Sequence, residues 1–196
     1  KCRDDIQKYR IYKANNTEGD FTEVAMVADT FFVDSNLPSF AACYKITALD
    51  RAGNERKIEE SESFCFDNCP YYELPNVFTP NDDNCNDVFS AFSDRVASEV
   101  GEDGQTPCGQ DLNDLRRRCA RFVLSVDFRV YNRWGKEIYN YQSGGERSIY
   151  IDWDGKDNNG KELASAVYYY KAEVTFEAVD PSKQKQNIKG WVHLIR

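Results

Sequence analysis

The side chains best suited to chemistry in this sequence are oxygens crowded into loops. Asn81, Asp83, Asn86 and Asp87 share one short stretch, NDDNCND. Calcium takes roughly six to eight oxygens from flexible loops of this kind. The competing reading is a turn whose Asx side chains bond their own backbone, and no bidentate Glu follows at EF-hand spacing. A second cluster, Asp152, Asp154, Asp157 and Asn159, contains the Asp-Gly and Asn-Gly pairs of hairpin turns, which account for it without a metal. Trp134, Trp153 and Trp191 are either a stacking platform for sugar rings or, the expected role, core aromatics. His193 is the single histidine, so a Ser-His-Asp triad or a His-based metal site would have to use it. It sits between Val192 and Leu194, and no GxSxG motif accompanies it, so its expected role is structural. Carboxylates are abundant, but their loop spacing singles out no acid/base pair. The residues point to a protein that is not an enzyme.

The elements that carry these residues are strands. The chain has 196 residues, 41% hydrophobic and 14% aromatic, enough for one large or two small packed domains. Twelve Tyr, twelve Phe and three Trp favour strands over helices. A formal charge of -8 with no basic run argues against nucleic acid as a partner. The same acidity suits solubility, or divalent cations, outside the cell. No stretch is apolar enough to span a membrane, and Lys1–Arg10 is too polar for a signal peptide. Seven cysteines without doubled CxxC spacing point to disulfides and an oxidising compartment. The odd count leaves Cys2, whose partner would lie upstream. A disulfide-rich chain without its own leader is expected to be part of a longer exported precursor extending upstream of Lys1.

Residues 1–69 read as short strands: Lys8–Lys13, Phe21–Val27, Thr30–Val33, Ala42–Asp50 and Ser61–Phe66. In the fourth, Tyr44, Ile46 and Ala48 share a face opposite Lys45 and Thr47. Cys43 and Cys65 lie equally far from the turn at Asn54, so a hairpin centred there sets them opposite each other at disulfide distance. The strings YRIYK, DTFFVD and CYKITALDRAGNE resemble the later part of a fibronectin type III or immunoglobulin-like sandwich, whose first strands would be missing. Asp67–Pro75 (DNCPYYELP) is a short, stiff boundary.

Residues 70–196 give further strands at Phe122–Tyr131, Glu137–Tyr141, Ser148–Trp153, Ala166–Glu177 and Gly190–Arg196. Asp111–Cys119 suits one short helix, with Asp at its start and Arg116, Arg117 and Arg118 near its end. The fold class read from the sequence is all-β, with two tandem β-sandwich (immunoglobulin-like) domains and room for that helix in the second.

Four ordered blocks carry a resemblance: LPNVFTPNDDNCNDVF (74–89), VDFRVYNRWGKEIY (126–139), WDGKDNNGKELASAVYYY (153–170) and KGWVHLIR (189–196). Together they resemble the gliding-motility-associated C-terminal domain, also called the type B sorting domain of type IX secretion cargo. The resemblance assigns the sorting motif to Asn76, Phe78 and Pro80 in the first block. It adds Asn132, Arg133, Trp134 and Gly135, then Trp153, Gly155, Gly160, Tyr168 and Tyr170, and finally Gly190, Trp191 and Arg196. Asp82 and Asn84 stand where the family has glycines; both tolerate left-handed backbone. Ala164 and Ala166 replace a common proline and glycine, and Asp94–Asp111 reads as an insertion. Against that pattern Cys85, in the altered loop, pairs with Cys108 in the insertion, which leaves Cys69 with Cys119; spacing alone does not fix this connectivity.

The resemblance implies an export and surface-attachment module at the carboxyl end of a large bacterial surface protein used in gliding or adhesion. Its partners would be the outer-membrane type IX translocon and an associated outer-membrane β-barrel protein, and its destination the cell surface after passage through the periplasm. Recognition would use a folded surface including the last strand and Arg196, with exposed sheet edges available for strand addition. The alternatives are a carbohydrate- or surface-binding adhesin module and an accessory region of a secreted hydrolase.

Overall fold

The computed structural model describes residues 5–35, 37–83, 86–92, 122–144 and 147–196. The helix expected at Asp111–Cys119 and the cysteines Cys2, Cys85, Cys108 and Cys119 lie outside them. The described residues are all-β: nine strands form a four-stranded sheet and a five-stranded sheet. Two compact units divide the chain, one of residues 1–68 with 177–183 and one of 69–176 with 184–196.

In the first unit β1 (Ile6–Ala14), β2 (Thr22–Val27), β3 (Ala42–Asp50) and β4 (Phe64–Phe66) pair antiparallel in the order β2-β1-β3-β4. Cys43 stands opposite Cys65 in the β3–β4 register, and the two form a disulfide with Cα atoms 4.0 Å apart. The pairing is the expected one, but the turn is centred at Ala52, where Leu49 bridges Glu55, rather than at Asn54; equal arms would set Cys43 opposite Ser61, and the 3-10 turn at Ile58–Glu60 takes up the extra residues that bring Cys65 level. Tyr44, Ile46 and Ala48 face the same way, opposite Lys13, Ile11 and Tyr9 of β1.

Thr30–Val33, expected to be a strand, makes no ladder. It belongs instead to an extended strap over the sheet, tied down where Lys13 Nζ and Tyr44 Oη donate to Asp34 Oδ2 at 2.9 and 2.8 Å. The strand expected at Ser61–Phe66 is shortened to Phe64–Phe66, because Ile58–Glu60 takes a 3-10 turn just before it. Residues 177–183, which the sequence placed within the last long strand and the segment after it, are bound into this unit. Val179 and Asp180 donate backbone N–H groups to Asp67 at 3.0 and 3.2 Å, and Asn68 Nδ2 donates to the Glu177 carbonyl at 2.6 Å.

The second unit is built on β5 (Val77–Phe78), β6 (Val123–Tyr131), β7 (Glu137–Gln142), β8 (Ala166–Phe176) and β9 (Lys185–Leu194), in the order β5-β9-β8-β6-β7. All pairs are antiparallel except β5–β9, which is parallel. Alternation in β8 sends Tyr168, Tyr170, Ala172, Val174 and Phe176 inward, as Val126, Phe128 and Val130 of β6 and Val192 and Leu194 of β9 go inward. Loops close over this face. Trp153 is fully buried, its ring 5.2 Å from Phe78 and 5.6 Å from Tyr139 by centroid, and its Nε1–H donates to the Lys156 carbonyl at 2.7 Å.

Ser148–Trp153, expected to be a strand, is a turn ending in a single bridge between Trp153 and Phe89. Ile151 and Asp152 have φ of 78° and 57°, which no continuous strand accommodates. Strand β9 starts at Lys185 rather than at Gly190, because Gln186 and Ile188 continue the β8 ladder although the string KQNIK looks polar.

Two outcomes test this architecture. Trp153→Ala removes a fully buried ring and its hydrogen bond and is expected to cost about 3–5 kcal/mol in denaturant unfolding of the second unit. The second concerns the strap. The bonds from Lys13 and then Tyr44 hold the Asp34 carboxyl below its ordinary range. A depressed carboxylate stabilises the fold above its unfolded value of 3.8, and that contribution is lost as pH falls through the lower folded value. Asp34→Asn is therefore expected to lower stability at neutral pH and to converge with the parent at acid pH, read by thermal melts across a pH series.

Candidate recognition surface

The turn after β6 shows which signature residues serve the fold and which do not. Asn132 Oδ1 accepts the backbone N–H groups of Trp134 and Lys136, both at 3.0 Å. The Gly135 N–H donates to the Asn132 carbonyl and the Asn132 N–H to the Lys136 carbonyl, both at 2.9 Å. Gly135 has φ +79°, where a Cβ is strained. The same device recurs twice. Asp50 Oδ1 accepts from Ala52 and Asn54, with Gly53 at φ +86°. Asp157 Oδ1 accepts from Asn159 and Lys161, with Gly160 at φ +78°.

Each is the sequence Asx-x-x-Gly-x closing a hairpin by an Asx turn and a glycine bulge. The chemistry requires the first and fourth residues and leaves the middle two free. In the turn after β6 those two are Arg133 and Trp134. Trp134 is 75% exposed, with the Arg133 guanidinium 4.2 Å above its ring.

Beside that turn the outer face of the five-stranded sheet is banded by its register. Tyr131, Tyr169 and Trp191 stand directly opposite one another across β6, β8 and β9. Two residues along, Arg129, Lys171 and Lys189 do the same, followed by Asp127, Glu173 and Asn187. Tyr169 and Trp191 are about half exposed, at 51% and 50%. Arg129 is paired with Asp127 at 3.0 Å and Glu137 at 3.6 Å, whereas Lys171 and Lys189 have no carboxylate within ion-pair distance among the described residues. Tyr131, Asn132, Arg133, Gly135, Lys171 and Lys189 line a groove of about 460 Å³. An acidic protein thus presents one face of exposed rings and uncommitted cations, suited to stacking planar groups and pairing anions.

The remaining signature residues hold the fold. Phe78, Trp153, Tyr168 and Tyr170 are buried. A Cβ on Gly190 would lie 2.5 Å from Tyr170 Oη, and one on Gly155 would lie 2.6 Å from Leu194 Cδ1. Asn76 accepts the His193 backbone N–H at 2.8 Å, and Pro80 leads into the Asn81 loop. Arg196, expected in a recognition surface, is exposed; its backbone N–H meets Ser165 Oγ at 2.9 Å and its guanidinium meets the carbonyls of Leu163 and Gly155 at 3.1 and 3.3 Å.

Of the three tryptophans expected in the core, only Trp153 is there; Trp134 sits on a turn and Trp191 has outward parity, so the three form no common platform. His193 is exposed on the outer face, level with Val167 and Val77. The sequence reading passed over Tyr131, Tyr169, Lys171 and Lys189. Their signal was the parity of YYYK, which becomes legible once Tyr168 and Tyr170 are known to point inward.

The oxygen-rich loops turn their oxygens to their own chain. Asp87 Oδ1 accepts the N–H groups of Asn81 and Asp82 at 2.9 and 2.8 Å, Asn81 Nδ2 donates to Asp83 Oδ2 at 2.8 Å, and the Thr79 N–H donates to the Asn86 carbonyl at 2.8 Å. Asp82 takes φ 61°, the left-handed backbone its position demands, while Asn84 lies outside the described residues. Asp154 pairs with Lys156 at 2.7 Å, and Asp152 accepts from Ser90 Oγ at 3.0 Å. Backbone N–H groups of Lys161 first, then Asn159, hold the Asp157 carboxyl below its ordinary range. Among the described residues no three His, Cys, Asp or Glu side chains converge on a metal position. Cys69 is exposed and has no disulfide partner among the described residues, and its expected partner Cys119 lies outside them.

Residues 102–194 match the family described as CHU_C Type IX secretion signal domain, which the chain resembles over that span. Such a domain is a signal for export to the cell surface or extracellular space, and the family is not one of enzymes. The matched span starts after the 74–89 block, whose β5 nonetheless pairs with β9 in the same sheet.

Among solved structures the chain is similar to dimeric latent PorU from Porphyromonas gingivalis, at 13% identity and a TM-score of 0.30, covering 96% of this chain and 16% of that one. It is also similar to PorZ of the same organism, an essential bacterial surface component of its type-IX secretion system, at 14% identity and a TM-score of 0.25, covering 92% of this chain and 24% of that one. The chain therefore spans well under two thirds of either. No curated protein matches the sequence.

The division of labour within the signature is measurable. Trp134→Ala is expected to change stability by no more than about 0.5 kcal/mol, as for a surface residue. Gly190→Ala, which forces Tyr170 from its place, is expected to cost about 1–3 kcal/mol. Paired chemical denaturation curves check both.

Proposed function

We propose that this chain is the carboxyl-terminal export and surface-attachment module of a large secreted bacterial surface protein, of the kind used in gliding or adhesion. The outer-membrane type IX translocon and an associated outer-membrane β-barrel protein read it after passage through the periplasm, and its cargo lies amino-terminal to it. On this reading residues 70–196 are a type B sorting domain, residues 1–69 are a fibronectin type III-like spacer, and the chain itself catalyses nothing. One observation supports the reading: in a chain resembling a secretion-signal family, Arg133, stacked on the exposed ring of Trp134, lines one groove with Lys171 and Lys189, whose row neighbours that of Trp191. Burial explains none of them.

The test is a fusion of the whole chain behind a periplasmic reporter in a bacterium with an active type IX system. The reporter is expected at the cell surface. The combined change Arg133→Ala, Trp134→Ala, Lys171→Glu and Lys189→Glu is expected to retain it in the periplasm with unaltered melting behaviour. A parent fusion that stays periplasmic overturns the proposal. The row Tyr131–Tyr169–Trp191 also favours a second reading, a sugar-stacking platform. Binding of purified chain to a glycan array, abolished by Trp191→Ala while export persists, would establish that reading instead.

A further inference from the structure

Strand β7 is an edge strand of the five-stranded sheet, and its sequence, EIYNYQ, is a liability there. Edge strands offer N–H and C=O groups to any second strand, and aromatic residues favour the pairing. On β7 that edge is occupied by Asn158. Its backbone N–H donates to the Ile138 carbonyl at 3.1 Å, and its Oδ1 accepts the Asn140 N–H, also at 3.1 Å. In a parallel ladder a residue makes this pair of bonds, one to each neighbour of the residue it faces. Asn158 thus imitates one residue of a further strand opposite Tyr139, with a side-chain oxygen where a strand uses its own carbonyl. The imitation stops there, because Asn158 sits in a tight turn. The Gly160 N–H donates to the Asp157 carbonyl at 2.9 Å, and Gly160 at φ +78° turns the chain back towards Lys161. The hairpin is fixed at its base by the Trp153 Nε1–H on the Lys156 carbonyl at 2.7 Å. Asn158 is itself exposed, so burial does not explain its position.

We infer that Asn158 is an edge lock that keeps the chain monomeric, holding shut a β7 edge that is complementary to β7 of a second copy. The occupant follows from the edge's own residues. Two copies of one strand meet about a two-fold axis, which pairs each residue with its symmetry mate. Ile138 and Asn140 turn their backbone groups outward, and Gln142 shares their parity. An antiparallel pair that matches this parity over the length of β7 has its axis at Tyr139 or at Asn140. Either axis sets tyrosine against tyrosine, a cross-strand pair that stabilises a ladder. Either axis also places Glu137, the one charged residue of the strand, opposite an uncharged residue, Tyr141 or Ser143. Glu137 is moreover already paired with Arg129 at 3.6 Å. Nothing in β7 itself therefore opposes self-pairing, and the bar comes from the hairpin tip.

Hydrogen exchange and light scattering on the whole chain test this. Asn158→Pro suits the hairpin, since the first central position of such a turn favours proline, but it removes both bonds and sets the ring against the Ile138 carbonyl. The Asn140 amide is expected to exchange several-fold faster in dilute solution. The mass is expected to rise towards that of a dimer as concentration increases, while the parent stays monomeric. Asn158→Ala loses only the side-chain acceptor and leaves the turn's backbone untouched; it is expected to move both readouts the same way by less. Adding Asn140→Pro, whose missing N–H points away from β6, is expected to restore the monomer. Variants that stay monomeric while Asn140 exchanges faster overturn the inference, because the edge would then be open and unused. Unchanged exchange at Asn140 overturns it too, as does a dimer that survives Asn140→Pro or one already formed by the parent.

Discussion

Strand β8 lies between β9 and β6, and its register decides what the second unit presents to the outside. A slip of one residue would exchange every side chain between the faces. Tyr168, Tyr170, Ala172 and Val174 would enter water, and Val167, Tyr169, Lys171 and Glu173 would enter the core, burying two charges without partners. Two features pin the register in place. Gly190 stands opposite Tyr170, and only a residue without a Cβ leaves that ring its position. Arg196, one residue past Ile195, binds the carbonyls of the 154–163 loop, so the end of β9 is anchored to the loop that covers Trp153. Core and outer face are therefore one fact seen from two sides of a sheet.

The hairpin turns complete that logic. Asp50, Asn132 and Asp157 each satisfy two backbone donors with one side-chain oxygen and are followed three positions later by a glycine with φ near +80°. A turn closed this economically makes no demand on its two central residues. Those residues are Arg51 and Ala52 in the first, Asn158 and Asn159 in the third, and Arg133 and Trp134 in the second. A large ring exposed at such a tip adds nothing to folding, because the hydrophobic effect acts on area removed from water.

Much of this was legible in the sequence where a local rule acts without competition. The alternation of Val126, Phe128 and Val130 and the Asp-Gly and Asn-Gly turns follow from period-two geometry and turn chemistry; the Cys43–Cys65 pair was also legible, although its hairpin turns at Ala52 rather than Asn54. Reading failed where a distant partner decides. Ile149 and Ile151 look like strand residues, but Trp153 bridges Phe89 and bends the backbone of Ile151 and Asp152 to positive φ. The string KQNIK looks like a loop until β8 supplies its ladder. The tryptophans show the same limit. Composition counts three alike, whereas parity buries Trp153 and exposes Trp191, and turn geometry exposes Trp134.

Charge gives the recognition face its final property. The chain carries -8 overall, yet Arg133, Lys171 and Lys189 sit together beside exposed rings. An isolated cation in a net anionic field is partly neutralised by its surroundings, so at long range the molecule repels other anions. Within about one Debye length, ~8 Å at physiological salt, the local cations dominate. Under the proposed function, a partner whose groove combines carboxylates with room for an aromatic ring meets attraction only once it is correctly placed. That arrangement favours specificity over speed of encounter, because the far field gives no steering and the near field penalises misregistration. It also ties the face to its fold: the cations lie in one row only while β6, β8 and β9 keep their register, so a misfolded domain would present rings and charges in the wrong order.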